Sequence, residues 1–176
     1  MNKNNFEPPR PGEKVIELPP ADDAGLIFIG RIRTPWTDRH EAPRNAMESE
    51  AVCTIELDPR YVEGLQSLET VSHMIVLYWL DRARRDIIIQ KPRHDDKAHG
   101  VFALRSPVRP NPIGLAVVDL LSIDGNILTI RHIDCLDGTP LLDIKPYFPH
   151  SDAKSEAEVG WHRERTKPLK PRGGAA

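Results

Sequence analysis

Short apolar runs separated by turn-forming residues recur along this chain. Apolar runs of this kind, alternating or continuous, are typical of β-strands, whereas helices need longer stretches with a period of 3.6 residues. The chain also has 17 prolines and 11 glycines, which supply many turns. We therefore predict a mainly-β fold of many short elements. The runs predicted as strands are 26–33, 50–57, 71–80, 86–90, 101–104, 115–122 and 127–135.

Three stretches carry more specific predictions. The run 71–80 is the most apolar of the chain, and we expect a central strand buried on both faces. Asp58 followed by Pro59 resembles a helix N-cap with proline at the first position, which predicts a short helix over 59–68. The turn signal Asp124-Gly125-Asn126 predicts a hairpin between its flanking strands.

Residues 104–114 form the most rigid predicted loop. Its prolines restrict the backbone and remove amide donors, so neither a helix nor a regular strand ladder fits. A stiff loop can hold polar side chains in set directions for an anionic or polar ligand, although it can also be a connection that turns a corner. The prolines are Pro107, Pro110 and Pro112, and the polar side chains are Arg105, Ser106, Arg109 and Asn111.

Length and charge favour one soluble domain. A chain of 176 residues can bury one core, and we expect an extended arm at 1–24, a folded domain at 25–160 and a basic tail at 161–176. Because it has no membrane-length apolar run and no signal segment, we expect a cytoplasmic protein without a membrane partner. The net charge of −2 argues against unspecific nucleic-acid binding. Residues 82–109 nevertheless carry eight Lys or Arg against three acids, which indicates an anion-binding surface or a solvated face.

The sequence lacks the motifs that are typical of several kinds of chemistry. Cys53 and Cys135 lie in separate apolar runs, which favours a reduced, buried pair over a disulfide. The histidines show no metal-ligand spacing, so we expect no metal. Dinucleotide, Walker and serine-nucleophile motifs are also absent from the sequence, which removes support for nucleotide hydrolysis and hydrolase chemistry.

Two segments carry a family resemblance. The string Gly100-Val-Phe-Ala-x-Arg105-Ser-Pro-x-Arg109-Pro-Asn-x-Ile-Gly114, the first signature, resembles that of TsaA-like proteins. The second signature, Asp-Gly-Thr-Pro followed by Asp-Ile-Lys-Pro-Tyr, is matched in full at 137–147. The resemblance covers about residues 25–148. It implies a single small antiparallel or mixed β-barrel with long functional loops and one or two short helices.

The resemblance also implies a function. Characterised members of the family use S-adenosylmethionine to methylate N6 of threonylcarbamoyl-adenosine beside the tRNA anticodon, and they form homodimers. Transfer of a methyl group from a sulfonium to nitrogen needs alignment and a proton acceptor but no protein nucleophile. The departure is Asp81, near which relatives commonly have histidine. Two alternatives therefore stay open: a regulatory or non-catalytic barrel that binds S-adenosylmethionine, and a methyltransferase for a different small-molecule or RNA acceptor.

The resemblance and the local excess of positive charge together give three sets of candidate residues. The cofactor-binding set is Pro43, Arg44, Asn45, Asp81, Arg82, Arg105, Ile113, Asp137, Gly138, Thr139 and Pro140. The catalytic candidates are Asp137, Asp143 and Arg105. The proposed RNA-binding residues are Arg84, Arg85, Lys91, Arg93 and Arg109.

Overall fold

The computed structural model describes residues 8–17, 25–92 and 96–161, and six of its strands close into an antiparallel barrel. The strands are β1 (Lys14–Val15), β2 (Gly30–Arg33), β3 (Cys53–Leu57), β4 (His73–Trp79), β5 (Ile87–Gln90), β6 (His99–Gly100), β7 (Ile113–Asp124), β8 (Ile127–Arg131) and β9 (Thr139–Pro146). Around the barrel the order is β2-β3-β8-β7-β4-β9, and β9 pairs with β2 to close it. The expected fold class, a small mainly-β barrel, is confirmed.

Alternation along the strands builds the core. In β3, Cys53, Ile55 and Leu57 are buried, whereas Thr54 and Glu56 between them are half-buried. Full burial of one aliphatic side chain contributes about 1.5–3 kcal/mol, so the barrel interior is the main source of stability. The side chains at its centre are Ile32, Ile55, Met74, Val76, Val118, Leu128, Ile130 and Leu141.

The prediction that residues 71–80 form a central strand is confirmed by the pairing of β4 with both β7 and β9, but the expected burial on both faces for much of its length is wrong. In β4, Met74, Val76 and Tyr78 are buried, but Ile75 and Leu77 are only half-buried. The reason is that each strand of a closed barrel presents one face to the core and the other to the outside.

Two other predicted strands end early for identifiable reasons. The run 26–33 becomes a strand only at Gly30, because its partner β3 ends at Leu57 directly opposite. The run 127–135 stops at Arg131, since His132 has a left-handed φ of 67° that a strand cannot continue. The hairpin prediction is confirmed, with Gly125 at φ 57° between β7 and β8.

Short helices connect the strands. The predicted helix after Asp58 is a 3₁₀ helix, Pro59–Leu65, whose first turn is capped by the Asp58 carboxylate through the Arg60 amide. Residues 101–104, predicted as a strand, contain the 3₁₀ helix Val101–Ala103 instead. Val101 and Leu104 are buried three positions apart, which is the spacing of a 3₁₀ turn. The other helices are Ala46–Glu48, Leu68–Thr70 and Pro149–Asp152.

A second, three-stranded sheet, β1-β5-β6, includes part of the predicted arm. Strand β1 pairs with β5, and β5 pairs with β6, which leads directly into the first signature. Near the other end of the chain, the Trp161 ring lies 4.3 Å from the His99 ring of β6. The remainder of the predicted basic tail lies outside the described residues.

The barrel has one end at which the predicted site residues collect. Strands β2, β4 and β8 finish there, and β3, β7 and β9 begin there, as their pairing registers show. We call this the loop end. The segments that form it are 34–52, 80–86, 101–112 and 132–138.

Two expectations about the whole chain concern cysteines and membranes. Both Cys53 and Cys135 are free and buried, as predicted. In the described part of the chain, no helix is long and apolar enough to cross a membrane.

Candidate functional site

Arg109 stabilises the first signature through hydrogen bonds within the loop. Its Nη2 donates to the Val101 carbonyl at 2.7 Å and to the Leu104 carbonyl at 2.9 Å. These bonds hold the 3₁₀ helix against the proline-rich stretch that follows. The Arg109 guanidinium, which we expected to contact RNA, is thus half-buried and bonded to its own loop.

The signature ends on a glycine because an aromatic ring leaves no space. A Cβ on Gly114 would lie 2.1 Å from Cε2 of Tyr78, its cross-strand partner. Any side chain at Gly114 therefore requires the Tyr78 ring to move. The Tyr78 residue is 4% exposed and belongs to the core. Its ring packs directly against Gly114, and this contact attaches the end of the loop to the barrel.

Arg105 and Phe102 are the exposed members of this loop. Arg105 donates one bond, from Nη2 to the Leu115 carbonyl at 3.0 Å, and its side chain remains exposed to solvent. Phe102 is 84% exposed, which is unusual for an aromatic side chain. Together they present a planar cation and an aromatic face at the loop end.

A groove of about 420 Å³ lies beside these residues. It is lined by Phe102, Arg109, Pro110, Asn111 and Ile113. Its size is within the range of small-ligand pockets, and its lining combines the exposed Phe102 ring with the Asn111 amide. With the exposed Arg105 of the same loop, these groups suit a nucleoside with a charged tail, so the residues fit S-adenosylmethionine.

The second signature begins as a turn tied to the end of β2. The Asp137 amide donates to the Trp36 carbonyl at 2.7 Å, and Asp137 Oδ1 accepts from the Thr34 amide at 3.2 Å. Gly138 has φ 76°, a left-handed conformation that favours glycine. Thr139 and Pro140 are buried, and the Thr139 hydroxyl donates to the Leu136 carbonyl at 2.7 Å.

Asp143 does not lie at the loop end. It is opposite Leu77 on the outside of the barrel, where its Oδ2 is 2.6 Å from Lys145 Nζ. Its Oδ1 accepts from the Ile144 amide at 2.9 Å. The carboxylate therefore lies on the barrel wall, beyond the turn that contains Asp137, because the strand carries it there.

The segment with Pro43, Arg44 and Asn45 is at the loop end. Asn45 caps the 3₁₀ helix Ala46–Glu48 by accepting from the Met47 amide at 3.0 Å. Arg44 is exposed, and its amide donates to Glu48 Oε2 at 3.3 Å. Asn45 thus has a capping role that explains its presence without a ligand, whereas the Arg44 guanidinium faces solvent.

The segment after β4 contacts the first signature. The Leu80 amide donates to the Pro112 carbonyl at 2.9 Å, which holds Asp81 and Arg82 beside the proline-rich loop. Both side chains are exposed, and Arg82 Nη1 is 3.5 Å from the Thr37 carbonyl. The structure therefore brings the predicted residues of 43–45, 81–82, 105–113 and 137–140 to one end of the barrel.

Most of the predicted RNA-binding cations already have protein partners. Arg84 makes two 2.8 Å bonds to the Asp86 carboxylate, which raises the pKa of Arg84 and lowers that of Asp86. Arg85 donates to the Pro110 carbonyl at 2.6 Å and to Asn111 Oδ1 at 3.2 Å. Lys91 is half-buried. Arg93 lies outside the described residues.

Sequence reasoning missed a polar pair inside the loop end. The Tyr78 hydroxyl donates to Asp134 Oδ1 at 3.0 Å. Burial raises the pKa of Tyr78, and the Asp134 charge adds to this effect, whereas the Arg105 charge opposes it. No local sequence pattern predicts this pair, because the two residues are 56 positions apart.

A separate groove of about 550 Å³ lies near the opposite end, lined in part by Phe28, Arg31, Glu56 and Asp58. Its charges are already paired: Arg31 donates to the Gly138 carbonyl, Glu56 pairs with Arg33, and Asp58 pairs with Arg60. We assign the candidate site to the smaller groove, whose lining belongs entirely to the first signature.

The chain is similar to several known proteins. Residues 31–153 match the family described as the tRNA-methyltransferase O N-terminal domain. The chain is 49% identical over 139 residues to a probable S-adenosyl-L-methionine-binding protein of Archaeoglobus fulgidus, which covers 79% of this chain and 38% of that protein. It is 46% identical over 137 residues to the probable S-adenosyl-L-methionine-binding protein VirR of Rhizobium radiobacter, covering 78% of each.

A solved structure is also similar. The crystal structure of TrmO from Pseudomonas aeruginosa superposes with a TM-score of 0.67 at 38% identity, covering 80% of this chain and 63% of that one. The chain thus spans less than two thirds of the crystallised protein and 38% of the archaeal relative.

Proposed function

Because the chain belongs to the family of the tRNA-methyltransferase O N-terminal domain, we propose that it is an S-adenosylmethionine-dependent methyltransferase acting on tRNA. The observation that carries the proposal is the groove that the first signature forms at the loop end, with the exposed Phe102 ring on its wall. The acceptor we propose is N6 of threonylcarbamoyl-adenosine next to the anticodon.

The cofactor would be held by residues of the first signature and the segments around it. The exposed Phe102 ring offers a stacking surface for adenine, and the Arg105 fork suits the carboxylate of the methionine part. When bound, the cofactor supplies an activated methyl group on its sulfonium. The protein contributes alignment, exclusion of water and an acceptor for the departing proton.

We propose that exposed guanidinium groups at the loop end contact the tRNA backbone. Arg44 and Arg82 are exposed there, and Arg85 is exposed although bonded to the signature loop. Arg84 and Arg109 contribute less, since carboxylate or carbonyl groups already hold them. A base splayed out of the anticodon loop would supply specificity, because single-stranded loops expose base edges.

The experiment uses purified protein with tRNA from a strain that lacks it. Nucleoside mass spectrometry should find that the deletion strain's threonylcarbamoyl-adenosine has lost one methyl group, and that the protein and S-adenosylmethionine restore it. Calorimetry should show cofactor binding that survives a chelator. Binding without transfer to any tRNA would favour the regulatory barrel, and the absence of binding would contradict both functions.

We also propose that the protein forms a homodimer through the outer face of β4 and β7. Three apolar cross-strand pairs lie there, with Ile113, Leu115 and Val117 each at least 38% exposed. The pair Asp143–Lys145 borders this stripe, which resembles the apolar centre and polar rim of an interface. The cross-strand pairs are Trp79–Ile113, Leu77–Leu115 and Ile75–Val117.

Sedimentation at micromolar concentration tests the dimer. We expect the wild type to sediment as a dimer and Leu115→Lys as a monomer. The matched control is Val52→Lys, which changes an exposed apolar residue elsewhere and should stay dimeric. A monomeric wild type would contradict the proposal.

A further inference from the structure

Three aspartates of the second half of the chain differ in how their carboxylates are held. Asp137 Oδ1 accepts from the Thr34 amide, and its Oδ2 lies 3.7 Å from Arg33 Nη1. Both oxygens of Asp143 are also engaged, one by the Ile144 amide and one by Lys145. Each of these carboxylates therefore already has a cation and a backbone amide as partners.

Asp134 is different. Its Oδ1 accepts from the Tyr78 hydroxyl at 3.0 Å, and the side chain is half-buried. Within the described ranges, Oδ2 of Asp134 makes no hydrogen bond or ion pair. One oxygen thus fixes the orientation of the carboxylate while the other is left for a ligand.

The Tyr78 side chain makes a reliable donor in this pair. The Gly114 backbone packs against its ring, and burial raises the pKa of the hydroxyl, so it stays protonated. The proton therefore remains on Tyr78, and Asp134 keeps the role of acceptor. Gly114, the cross-strand partner of Tyr78, directly follows Ile113, which lines the groove, so the pair lies beside the first signature.

We propose that Asp134 is the proton acceptor of the methyl transfer, an inference that rests on the proposed function. Oδ2 would accept a hydrogen bond from the N–H of the attacking nitrogen. The nitrogen lone pair forms the new N–CH₃ bond, the S–CH₃ bond breaks, and its electron pair returns to sulfur to give the neutral thioether. The N–H proton passes to Asp134 and then to water, so charge and atoms balance.

The first test compares single-turnover methyl transfer by the wild type and Asp134→Asn. The asparagine keeps an oxygen for the Tyr78 hydroxyl but removes the base, so transfer should slow about 100-fold or more. Cofactor affinity by calorimetry should change less than about threefold, because the groove residues are unchanged. The control is Asp124→Asn, in the exposed hairpin turn of the opposite end, which should transfer at the wild-type rate.

The second test measures equilibrium binding with the demethylated cofactor present. Wild-type protein should bind tRNA that carries the N6–H about tenfold more tightly than tRNA already methylated there, since the product lacks the hydrogen that Asp134 accepts. A variant with an apolar isostere, Asp134→Leu, should lose this preference, and Tyr78→Phe should reduce it by releasing the carboxylate.

The outcomes separate the two proposals. If the wild type transfers methyl groups and Asp134→Asn does so within about threefold, the assignment of Asp134 is wrong while the proposed function stands. Retention of the binding preference by a folded Asp134→Leu protein would also overturn it. If the wild type transfers no methyl group to any tRNA, the proposed function and the role of Asp134 fail together.

Discussion

The two signatures differ in how they use their polar residues. In the first, Arg109 bonds to the loop's own carbonyls, and exposed groups such as Phe102 and Arg105 remain for a ligand. The second starts as a turn at Asp137 and continues as β9, which carries Asp143 along the outside of the barrel. Matching a motif therefore does not make each of its residues part of the site.

The contrast arises because the backbones of the two signatures satisfy their hydrogen bonds in different ways. A proline-rich loop has few amides to pair, so side chains such as Arg109 must satisfy its carbonyls. A strand satisfies its own backbone through its neighbours, and its side chains alternate between the core and the outside. Substitutions within each signature should separate these roles.

The largest effect is expected for Gly114→Ala. The added Cβ would lie 2.1 Å from a Tyr78 ring carbon, and the free energy of unfolding should fall by about 3 kcal/mol or more. Urea denaturation measures this difference. Gly100→Ala, at the other end of the same signature, has open space around the new Cβ and should change the stability by less than about 0.5 kcal/mol. Equal effects at both glycines would contradict the packing explanation.

The next effect separates the two arginines of the first signature. Arg109→Gln leaves two carbonyls without their shared donor and should lower the free energy of unfolding by about 2 kcal/mol. Arg105→Gln, at an exposed side chain, should change the stability little but weaken S-adenosylmethionine binding about tenfold. Urea denaturation measures the stability of both variants, and calorimetry measures their affinity for S-adenosylmethionine. An Arg109→Gln protein as stable as the wild type would contradict the structural role of Arg109.

A smaller difference is expected between two aspartates of the second signature. Asp137→Asn weakens the bond to the Thr34 amide and the attraction to Arg33, which should cost about 1 kcal/mol of stability. Asp143→Asn removes a surface pair with Lys145 and should cost about 0.5 kcal/mol or less. Thermal unfolding of both proteins at neutral pH tests the order. The reverse order would mean that the turn does not depend on Asp137.

The smallest effect concerns the two thiols, of which Cys135 lies two residues before the second signature. Burial raises the pKa of Cys53 to about 11 and that of Cys135 to about 12. The stabilisation from keeping both thiols neutral is complete below the ordinary pKa of 9.0 and is lost as the pH rises through 11 and 12. Unfolding free energies between pH 8 and 11 should therefore fall for the wild type.

The double variant Cys53→Ala, Cys135→Ala is the control for this pH dependence. Its stability should be lower at pH 8 because of the lost packing, but it should decline less between pH 9 and 11. Identical slopes for the two proteins would show that the thiols do not contribute to the alkaline loss of stability.

Local patterns predicted part of the fold well and part poorly. The hairpin at Gly125 and the cap at Asp58 follow from neighbouring residues, and both are confirmed. The strand predicted for the four residues after Gly100 is wrong. The burial of residues i and i+3 is established only when the loop packs on the barrel, so the sequence pattern does not reveal it. Both faces of β4 are apolar, and only closure of the barrel decides which one is buried.

The sequence likewise predicted some residues of the candidate site and not others. The signatures identify Arg105 and the turn at Asp137 because motif residues are contiguous in the chain. The sequence could not indicate which cations would be engaged, as Arg85 is with Pro110, since that depends on where separate loops meet. For the same reason Asp134, the proton acceptor proposed above, was missed.

By itself, the sequence determined the β-rich class, the hairpin, the reduced cysteines and the positions of the two signatures, because strand period, turn chemistry and motif spacing are local properties. Tertiary structure alone decided which polar groups remain available. Thr34 meets Asp137 across 103 positions and Tyr78 meets Asp134 across 56. Hydrogen bonds between such distant residues form only when the barrel closes and brings its loops to one end.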